Sequence, residues 1–336
     1  MTLNFQNLAP RPGETVYGSL QLEGVHIPIV LAAGKEDGPA LVLHCAQHQT
    51  EYAGSAMLGQ LLAELDLRQL QGALVILPLV NIPMIVRNRL PETYLPQQQS
   101  NQTAAGTLRT NINRVWPGVK DGIWNEQLAY LLSHEVFAKC AAVIDFHSCR
   151  LCDPDFAGYA VTSPDSRSIA LAFGLEAVDE TPEEGYFPGQ LHRRVPVELG
   201  VAAILVEMSP TSNQVGWSAM QRAKRGAFNV MRHLGMLPGK PELPSRQIVF
   251  HRTAEQFNIV AGMMGFVTTH QPPAAWVRQG QLIAEVRSLK DFAVLEEHRA
   301  GCDGGLASCG PATCHVILPG EEIATLQPGA EVIENH

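Results

Sequence analysis

Residues 40–51 read ALVLHCAQHQTE, an apolar run that ends in the pair His48 and Glu51. Residues 141–148 read AAVIDFHS, a second apolar run that ends in His147. Runs of this kind are typical of strands buried on both faces, as in parallel sheets covered by helices. Since ligands bind beyond the carboxyl ends of such strands, the three polar side chains are expected to meet at one edge of a sheet.

Strand and helix patterns alternate along the first 245 residues. Apolar runs predict further strands at residues 73–79 and 202–206, and helical spacing predicts helices over residues 51–65, 124–138, 166–173 and 218–234. Residues 16–32 alternate in polarity and predict an early hairpin. This order predicts an α/β domain over residues 1–245, with a mixed, mostly parallel sheet and helices on both faces.

The composition changes after residue 237, and the helical period is absent from about residue 248 onward. Two related copies follow, at residues 261–286 and 300–326, in which glycines and apolar residues recur at an offset of 39 to 40 positions. Short strands with glycine turns predict a small all-β barrel or sandwich of two pseudo-symmetric halves. We therefore expect a second domain over residues 246–336.

The charge balance bears on the kind of partner. The chain of 336 residues has a net charge of −9, and its basic residues form no run. Nucleic acid and anionic membranes are therefore not expected partners. A small anionic substrate remains compatible with this charge where local arginines outweigh the global field.

The seven cysteines are odd in number and have no disulfide-framework spacing, so reduced thiols in a cytoplasmic protein are expected. Cys149-x-x-Cys152 and the group Cys302, Cys309 and Cys314 are alternative metal ligands, but neither completes a four-ligand set. The first residues lack a signal-peptide pattern, and the most apolar stretch is too short for a transmembrane helix.

His48, Glu51 and His147 have the residue types of a catalytic zinc site. Two imidazoles and one carboxylate leave one coordination position open, whereas structural zinc is closed by four protein ligands. Asp145, two residues before His147 on the same strand face, is expected to orient a neighbouring group or accept a ring N–H. Alternatives are a capping histidine beside a solvated glutamate, and cobalt or manganese in place of zinc. His44 is a competing donor, but it lies within the strand and is expected to pack instead.

Glu207 ends the apolar run of residues 201–206. Burial would raise the pKa of such a carboxyl, which is the tuning that a general base needs. The alternative is an ordinary solvated glutamate at a strand end. Arg114, next to Asn113, offers a planar fork suited to a carboxylate.

Arg87, Arg89 and Arg109 flank the same region, and together with Arg114 they favour an anionic substrate. The alternative is that these arginines form surface ion pairs, which we expect for at least two of the four. The long segment 91–107 between them is rich in Gln, Asn and Thr and predicts a loop or lid.

In this order, the motifs resemble the succinylglutamate desuccinylase/aspartoacylase family of the zinc carboxypeptidase clan. The resemblance extends over nearly the whole chain. The matching segments are residues 38–54, 81–89, 113–118, 145–148, Glu207 and residues 226–237. It implies a zinc-carboxypeptidase-like fold and a zinc hydrolase.

The resemblance implies a role for each residue. His48, Glu51 and His147 would hold one Zn²⁺ per chain, and Glu207 would act as general base and acid. Arg114, helped by Asn113, would bind a substrate carboxylate. Arg89 would polarise the scissile carbonyl, with Arg87 and Arg109 as rivals, and Arg109 is also a candidate for substrate binding.

The expected function is hydrolysis of the amide bond of a small anionic N-acyl amino acid or a related carboxylated amide. A carboxypeptidase acting on short peptides is the alternative, followed by a non-catalytic binding protein on the same fold. Departures from the family pattern at Gln49, Thr50, Asn111 and Met208-Ser209 affect substrate identity more than reaction class. Edge strands of the β domain leave room for a homo-oligomer.

Overall fold

The computed structural model describes residues 3–6, 8–48, 50–89, 111–148, 154–182, 187, 189–209, 215–252, 254–309 and 315–335. The helices are α1 (Ala53–Glu64), α2 (Ile82–Arg89), α3 (Trp124–Leu131), α4 (Pro164–Phe173), α5 (Leu191–Leu199) and α6 (Trp217–His233). The first strands are β1 (Thr15–Leu22), β2 (Val25–Ala33), β3 (Glu36–Cys45), β4 (Gln71–Leu77), β5 (Ala142–His147), β6 (Phe156–Ala160), β7 (Ala177–Thr181), β8 (Ala202–Glu207) and β9 (Arg246–His251). The later strands are β10 (Phe257–Val260), β11 (Gly265–Thr269), β12 (Trp276–Val277), β13 (Leu282–Arg287), β14 (Val294–Arg299), β15 (Gly304–Cys309), β16 (His315–Ile317), β17 (Glu322–Gln327) and β18 (Glu331–Glu334).

The large sheet has ten strands in the order β1-β2-β4-β3-β5-β8-β6-β7-β9-β18. The pairs β4–β3, β3–β5, β5–β8, β6–β7 and β7–β9 are parallel. The antiparallel pairs are β1–β2 and β2–β4 at one end of the sheet, β9–β18 at the other end, and β8–β6 within it. The predicted mixed, mostly parallel sheet is confirmed.

Helices cover both faces of this sheet because successive residues of its central strands enter two different cores. Leu43 packs in one core with Met57 of α1 and with residues of α4 and α6. Val42 packs in the other with Leu128 of α3 and Val195 of α5. Strand β3 is therefore buried on both faces, which is what its unbroken apolar run predicts.

Helix α4 shows how local sequence sets an element's ends. The Ser163 side chain accepts the backbone N–H of Ser166 at 3.2 Å, Pro164 occupies the first helical position, and Gly174 ends the helix with φ of 84°. A hydroxyl N-cap, an early proline and a left-handed glycine are the usual helix boundaries. Among the described residues, no helix is both long and apolar enough to span a membrane.

One predicted helix is interrupted. Residues 124–138 form α3, then a π-helical turn at Leu132–Val136 and a 3-10 turn at Phe137–Lys139. Leu132, Val136 and Phe137 are all buried. The wider turn thus keeps the apolar side of the segment against the core, where a regular helix was expected.

The remaining strands form two four-stranded antiparallel sheets, in the orders β10-β17-β15-β12 and β14-β13-β11-β16. Each sheet combines two strands from one copy of the sequence repeat with one strand from the other copy. Ile283, Leu306 and Ile323 lie in the apolar core that the two sheets share. β9 and β18, which precede and follow these strands, pair with each other at the edge of the large sheet.

Candidate metal centre

The candidate metal ligands lie at the carboxyl ends of neighbouring parallel strands. His147 is the last residue of β5, and His48 and Glu51 lie between β3 and α1. The donor atoms of these three residues all lie within 4.8 Å of one another. The two sequence motifs therefore converge in the fold.

The backbone turns sharply to bring His48 and Glu51 to this place. Ala46, directly after β3, has a left-handed φ of 63°, which costs a residue with a Cβ about 1 kcal/mol or more. At the start of α1, a Cβ on Gly54 would lie 2.7 Å from the Cys45 sulfur. Glycine at this position lets α1 begin close against the end of β3.

The Glu51 carboxylate lies between the two imidazoles. Its Oε1 is 2.9 Å from Nδ1 of His48, and its Oε2 is 2.8 Å from Nδ1 of His147. The backbone N–H of Ser148 also donates to Oε2, at 3.3 Å. Three groups that can each donate an electron pair to a metal thus share one small volume.

The outer ring nitrogens face acceptors. Nε2 of His147 is 2.7 Å from Oδ2 of Asp145, and Nε2 of His48 is 3.1 Å from Oδ1 of Asn111. That amide oxygen also accepts the backbone N–H of Asn113 at 2.9 Å, which identifies it as the oxygen. Each ring therefore donates through Nε2, and a neutral ring keeps its lone pair on Nδ1, toward Glu51.

This arrangement fits a metal cation. Two Nδ1 lone pairs and an ionised carboxylate would repel one another unless protons or a cation lay between them. Two histidines and one glutamate are the ligands of many catalytic zinc sites. In such sites the second ring nitrogen of each histidine usually donates to an oxygen acceptor, as it does here. The residues present therefore fit zinc.

Without a cation, the charges of the cluster shift the acidities of its members. Burial opposes ionisation of Glu51, but His48 and His147 outweigh it and hold the pKa of Glu51 well below its usual range. Burial likewise opposes ionisation of Asp145, yet His147 and His44 hold its pKa low. Burial would lower the pKa of His147, but Asp145 and Glu51 raise it well above its usual value.

Asp145 is the centre of a buried network that supports His147. Its Oδ1 accepts from Nδ1 of His44 at 2.7 Å, and its Oδ2 accepts from the side-chain amide of Gln47. The sequence suggested packing for His44 and no role for Gln47. The strand register, in which His44 pairs with Asp145, is the signal that could have revealed the first contact.

Glu207 ends β8, and its Cα is paired with that of His147 across the parallel ladder. Paired residues of neighbouring strands point to the same face, so Glu207 lies beside the candidate ligand His147 on the site face. Asp155 anchors the chain that follows Glu207. Its carboxylate accepts a hydrogen bond from the Ser209 N–H at 2.7 Å and hydrogen bonds from the Arg222 guanidinium.

Asn113 and Arg114 lie in a short 3-10 turn at Ile112–Arg114. The Asn113 side chain is buried and accepts the Leu191 N–H at the start of α5, at 2.9 Å. Arg114 donates to the Asn113 carbonyl at 2.7 Å and stacks 3.7 Å above the Phe187 ring. Burial, and then the charge of Arg193, lower the pKa of Arg114 to about 10. Among the described residues, Arg114 forms no ion pair with a carboxylate.

The other predicted arginines are less fully described. Arg87 and Arg89 lie in the last turn of α2, where only the backbone is described, and Arg109 lies outside the described residues. Cys149, Cys152 and Cys314 also lie outside them, whereas Cys45, Cys140 and Cys302 are free thiols.

A family model for the succinylglutamate desuccinylase/aspartoacylase catalytic domain matches residues 37–234. The match covers more than half of the chain, and the chain belongs to this family of deacylases. The resemblance read from the motifs is confirmed.

Individual relatives agree with this assignment. The chain is 26% identical over 331 residues to N-alpha-acetyl-L-2,4-diaminobutyric acid deacetylase of Halomonas elongata, covering 93% of this chain and 87% of that protein. The apo structure of the ectoine utilization protein EutE (DoeB) from Ruegeria pomeroyi matches with TM-score 0.67 and 24% identity, covering 94% and 96% of the two chains. A succinylglutamate desuccinylase/aspartoacylase from Rhodobacter sphaeroides matches with TM-score 0.64 and 21% identity, covering 97% of each. At these identities the two structures establish the fold.

Proposed function

We propose that the chain is a zinc-dependent deacylase that hydrolyses the amide bond of a small N-acyl amino acid or a related carboxylated amide. The observation that carries this proposal is the convergence of three electron-pair donors, in which Nε2 of each imidazole faces a side-chain oxygen and Nδ1 faces Glu51. One zinc ion per chain would be held by Nδ1 of His48, the carboxylate of Glu51 and Nδ1 of His147.

When bound, zinc supplies Lewis acidity, which makes water a nucleophile near neutral pH and polarises a carbonyl. Glu207, beside His147 on the site face, accepts the proton of the attacking water and delivers it to the leaving amine. Asp145 keeps the His147 ring in the tautomer that presents Nδ1, because it accepts the proton carried by Nε2.

Arg114 binds the carboxylate of the substrate. Its guanidinium is half-buried and stacked on Phe187, and it forms no ion pair with a described carboxylate, so an incoming anion would meet a fixed positive charge. Asn113 holds this arginine in place. Its backbone carbonyl accepts a hydrogen bond from Arg114, and its side chain accepts the backbone N–H of Leu191 in α5. Arg89 polarises the scissile carbonyl in this proposal, and Arg87 and Arg109 are its rivals.

The first test is metal content. The wild-type chain, purified without chelator, should contain about one zinc per chain, and His48→Ala should contain none. His298→Ala is a matched control, because His298 faces Glu296 at 2.9 Å with exposure close to that of the His48–Glu51 pair. A wild-type chain that neither contains nor takes up zinc would overturn the proposal.

Substrate class is tested next. N-alpha-acetyl-L-2,4-diaminobutyric acid, the compound in the name of the Halomonas relative, is the first to try, beside N-acetyl and N-succinyl amino acids. Release of the free amino acid from any of these supports a deacylase. Cleavage of tripeptides with no turnover of N-acyl amino acids would favour the carboxypeptidase alternative instead.

Two further points remain proposals. A division into residues 1–245 and 246–336 can be tested by expressing residues 1–245, although this fragment lacks β9 and β18, which extend the large sheet. A homo-oligomer can be tested by sedimentation of the full chain.

A further inference from the structure

Gln47 connects the metal centre to the segment that carries Arg114. Its side chain is 1% exposed and lies between the carboxylate of Asp145 and the indole of Trp116. Its backbone carbonyl accepts from the side chain of Asn81 at 3.1 Å. The residue next to a metal ligand is therefore held by three separate parts of the fold.

The two neighbours of the Gln47 amide, Trp116 and Asp145, both require the same placement of its oxygen and nitrogen. The indole Nε1 of Trp116 can only donate, so the group 3.0 Å from it is the amide oxygen of Gln47. The carboxylate of Asp145 can only accept, so the amide nitrogen faces it. A flipped amide would place oxygen against carboxylate and NH₂ against indole N–H, which leaves one orientation.

Gln47 and His147 share one oxygen of Asp145. Oδ2 accepts from the Gln47 amide and, at 2.7 Å, from Nε2 of His147. The amide thus holds this oxygen against the ring nitrogen. Since the other end of the amide is bonded to Trp116, two residues after Arg114, one side chain joins the metal ligand to the arginine segment.

We propose that Gln47 is a positioning residue that holds Asp145 against His147 and couples this metal ligand to the Arg114 segment through Trp116. The proposal rests on the proposed zinc site. It implies that removing the indole N–H, which bonds to Gln47 and not to a proposed ligand, weakens zinc binding.

The experiment measures the zinc dissociation constant of the full chain by competition with a chromophoric chelator. Gln47→Met keeps the length of the side chain and removes the hydrogen bonds to Asp145 and Trp116, together with the contact of 3.3 Å between the amide nitrogen and Nε2 of His147. Loss of such outer contacts typically weakens metal binding about 10–100-fold, and this is the expected change. An unchanged zinc affinity would overturn the proposal.

Gln327→Met is the matched control for burial. Gln327 is fully buried and also makes one donated and one accepted hydrogen bond, at 2.9 and 2.8 Å, both with the backbone of His251. We expect a similar loss of thermal stability in both variants and an unchanged zinc dissociation constant in Gln327→Met. If the control weakens zinc binding as much as Gln47→Met does, the effect is general destabilisation and the proposal fails.

Trp116→Phe tests the link from its far end and serves if Gln47→Met does not fold. It keeps a ring and removes the indole N–H. We expect zinc binding to weaken several-fold in the wild-type background and to change no further in the Gln47→Met background. Equal effects in both backgrounds would mean that the indole acts independently of Gln47, which contradicts the coupling.

The proposed zinc site is tested separately by His48→Ala. If wild type binds zinc and His48→Ala does not, an unchanged zinc dissociation constant in Gln47→Met would contradict only the positioning role of Gln47. If wild type itself binds no zinc, the site proposal fails and this inference fails with it.

Discussion

The candidate metal centre and the C-terminal sheets differ in how deeply most of their ionisable side chains are buried. At the candidate metal centre, His44, Asp145 and His147 are at most 2% exposed, and both histidines bond to Asp145. In the C-terminal sheets the shared core is apolar, and pairs such as Glu297–Arg299 lie about half exposed. Burying a charge is costly unless partners compensate it. The buried charges of Asp145 and its histidines therefore mark the part of the molecule where side-chain positions are held most firmly.

One pair occurs in nearly the same form in both regions. His48–Glu51 and His298–Glu296 each have a nitrogen–oxygen distance of 2.9 Å and similar exposure. The second oxygen of Glu51 meets another imidazole, that of His147, whereas in Glu296 the oxygen that faces His298 also accepts the Gly262 N–H. A His–Glu pair alone therefore does not define a candidate metal site. A third electron-pair donor, here the imidazole of His147, is what distinguishes the two places.

The largest expected effect of a single change is at Glu207. Glu207→Gln keeps the shape of the side chain and removes its ability to take a proton, so turnover should fall about 10²–10⁴-fold. Zinc content should stay near that of wild type, because Glu207 is not a proposed ligand. Assays of turnover and metal content on the same sample separate the two functions, and normal turnover would remove Glu207 from the mechanism.

Asp145→Ala should have the largest effect on stability. The change leaves the donors of His44, Gln47 and His147 buried without their shared acceptor, which should lower the free energy of unfolding by about 3–5 kcal/mol. Asp303, an exposed carboxylate that accepts the Gln279 N–H, provides the comparison. Urea unfolding of both alanine variants should give a far smaller loss for Asp303→Ala, and equal losses would show that burial of Asp145 and its three donors adds nothing to stability.

The pH dependence of stability should differ with and without zinc. Asp145 and Glu51 have lowered pKa values when folded, so in zinc-free protein their contribution is present above about pH 4 and lost as the pH falls further. His147 has a raised pKa, so its contribution is complete below about pH 6.5 and is lost as the pH rises through the folded value.

Zinc bound at the proposed site would replace the proton on His147, so stabilisation by zinc should grow as the pH rises from about 5.5 to 8. Melting temperatures measured with zinc and with chelator across this range provide the check. A constant difference would show that no proton is displaced from the site. His298→Ala should leave the pH profile unchanged.

The smallest expected effects concern the repeated core. Ile283 and Ile323 are fully buried and occupy equivalent positions in the two copies. Changing either to valine should lower the free energy of unfolding by the same amount, about 0.5–1.5 kcal/mol, with zinc affinity unchanged. Clearly unequal losses would show that the two halves are packed differently despite their matching sequences.

The sequence was sufficient for much of the fold. Apolar runs such as residues 40–43 and 202–206 identified the central strands, because a strand buried on both faces needs no alternation. The helix of residues 124–138 was predicted as continuous, and periodicity could not reveal the π-helical turn, since that turn preserves which residues are buried.

The sequence by itself determined the residue types of the metal centre and their places at strand ends, because His48, Glu51 and His147 each follow an apolar run. Only the tertiary structure decided that Gln47 and His44 bond to Asp145, since these contacts join residues about a hundred positions apart. Likewise, only the sheet order placed Glu207 beside His147. Hydrophobic periodicity reports which residues are buried, whereas the register between strands, set by the whole packed sheet, decides which buried polar groups meet.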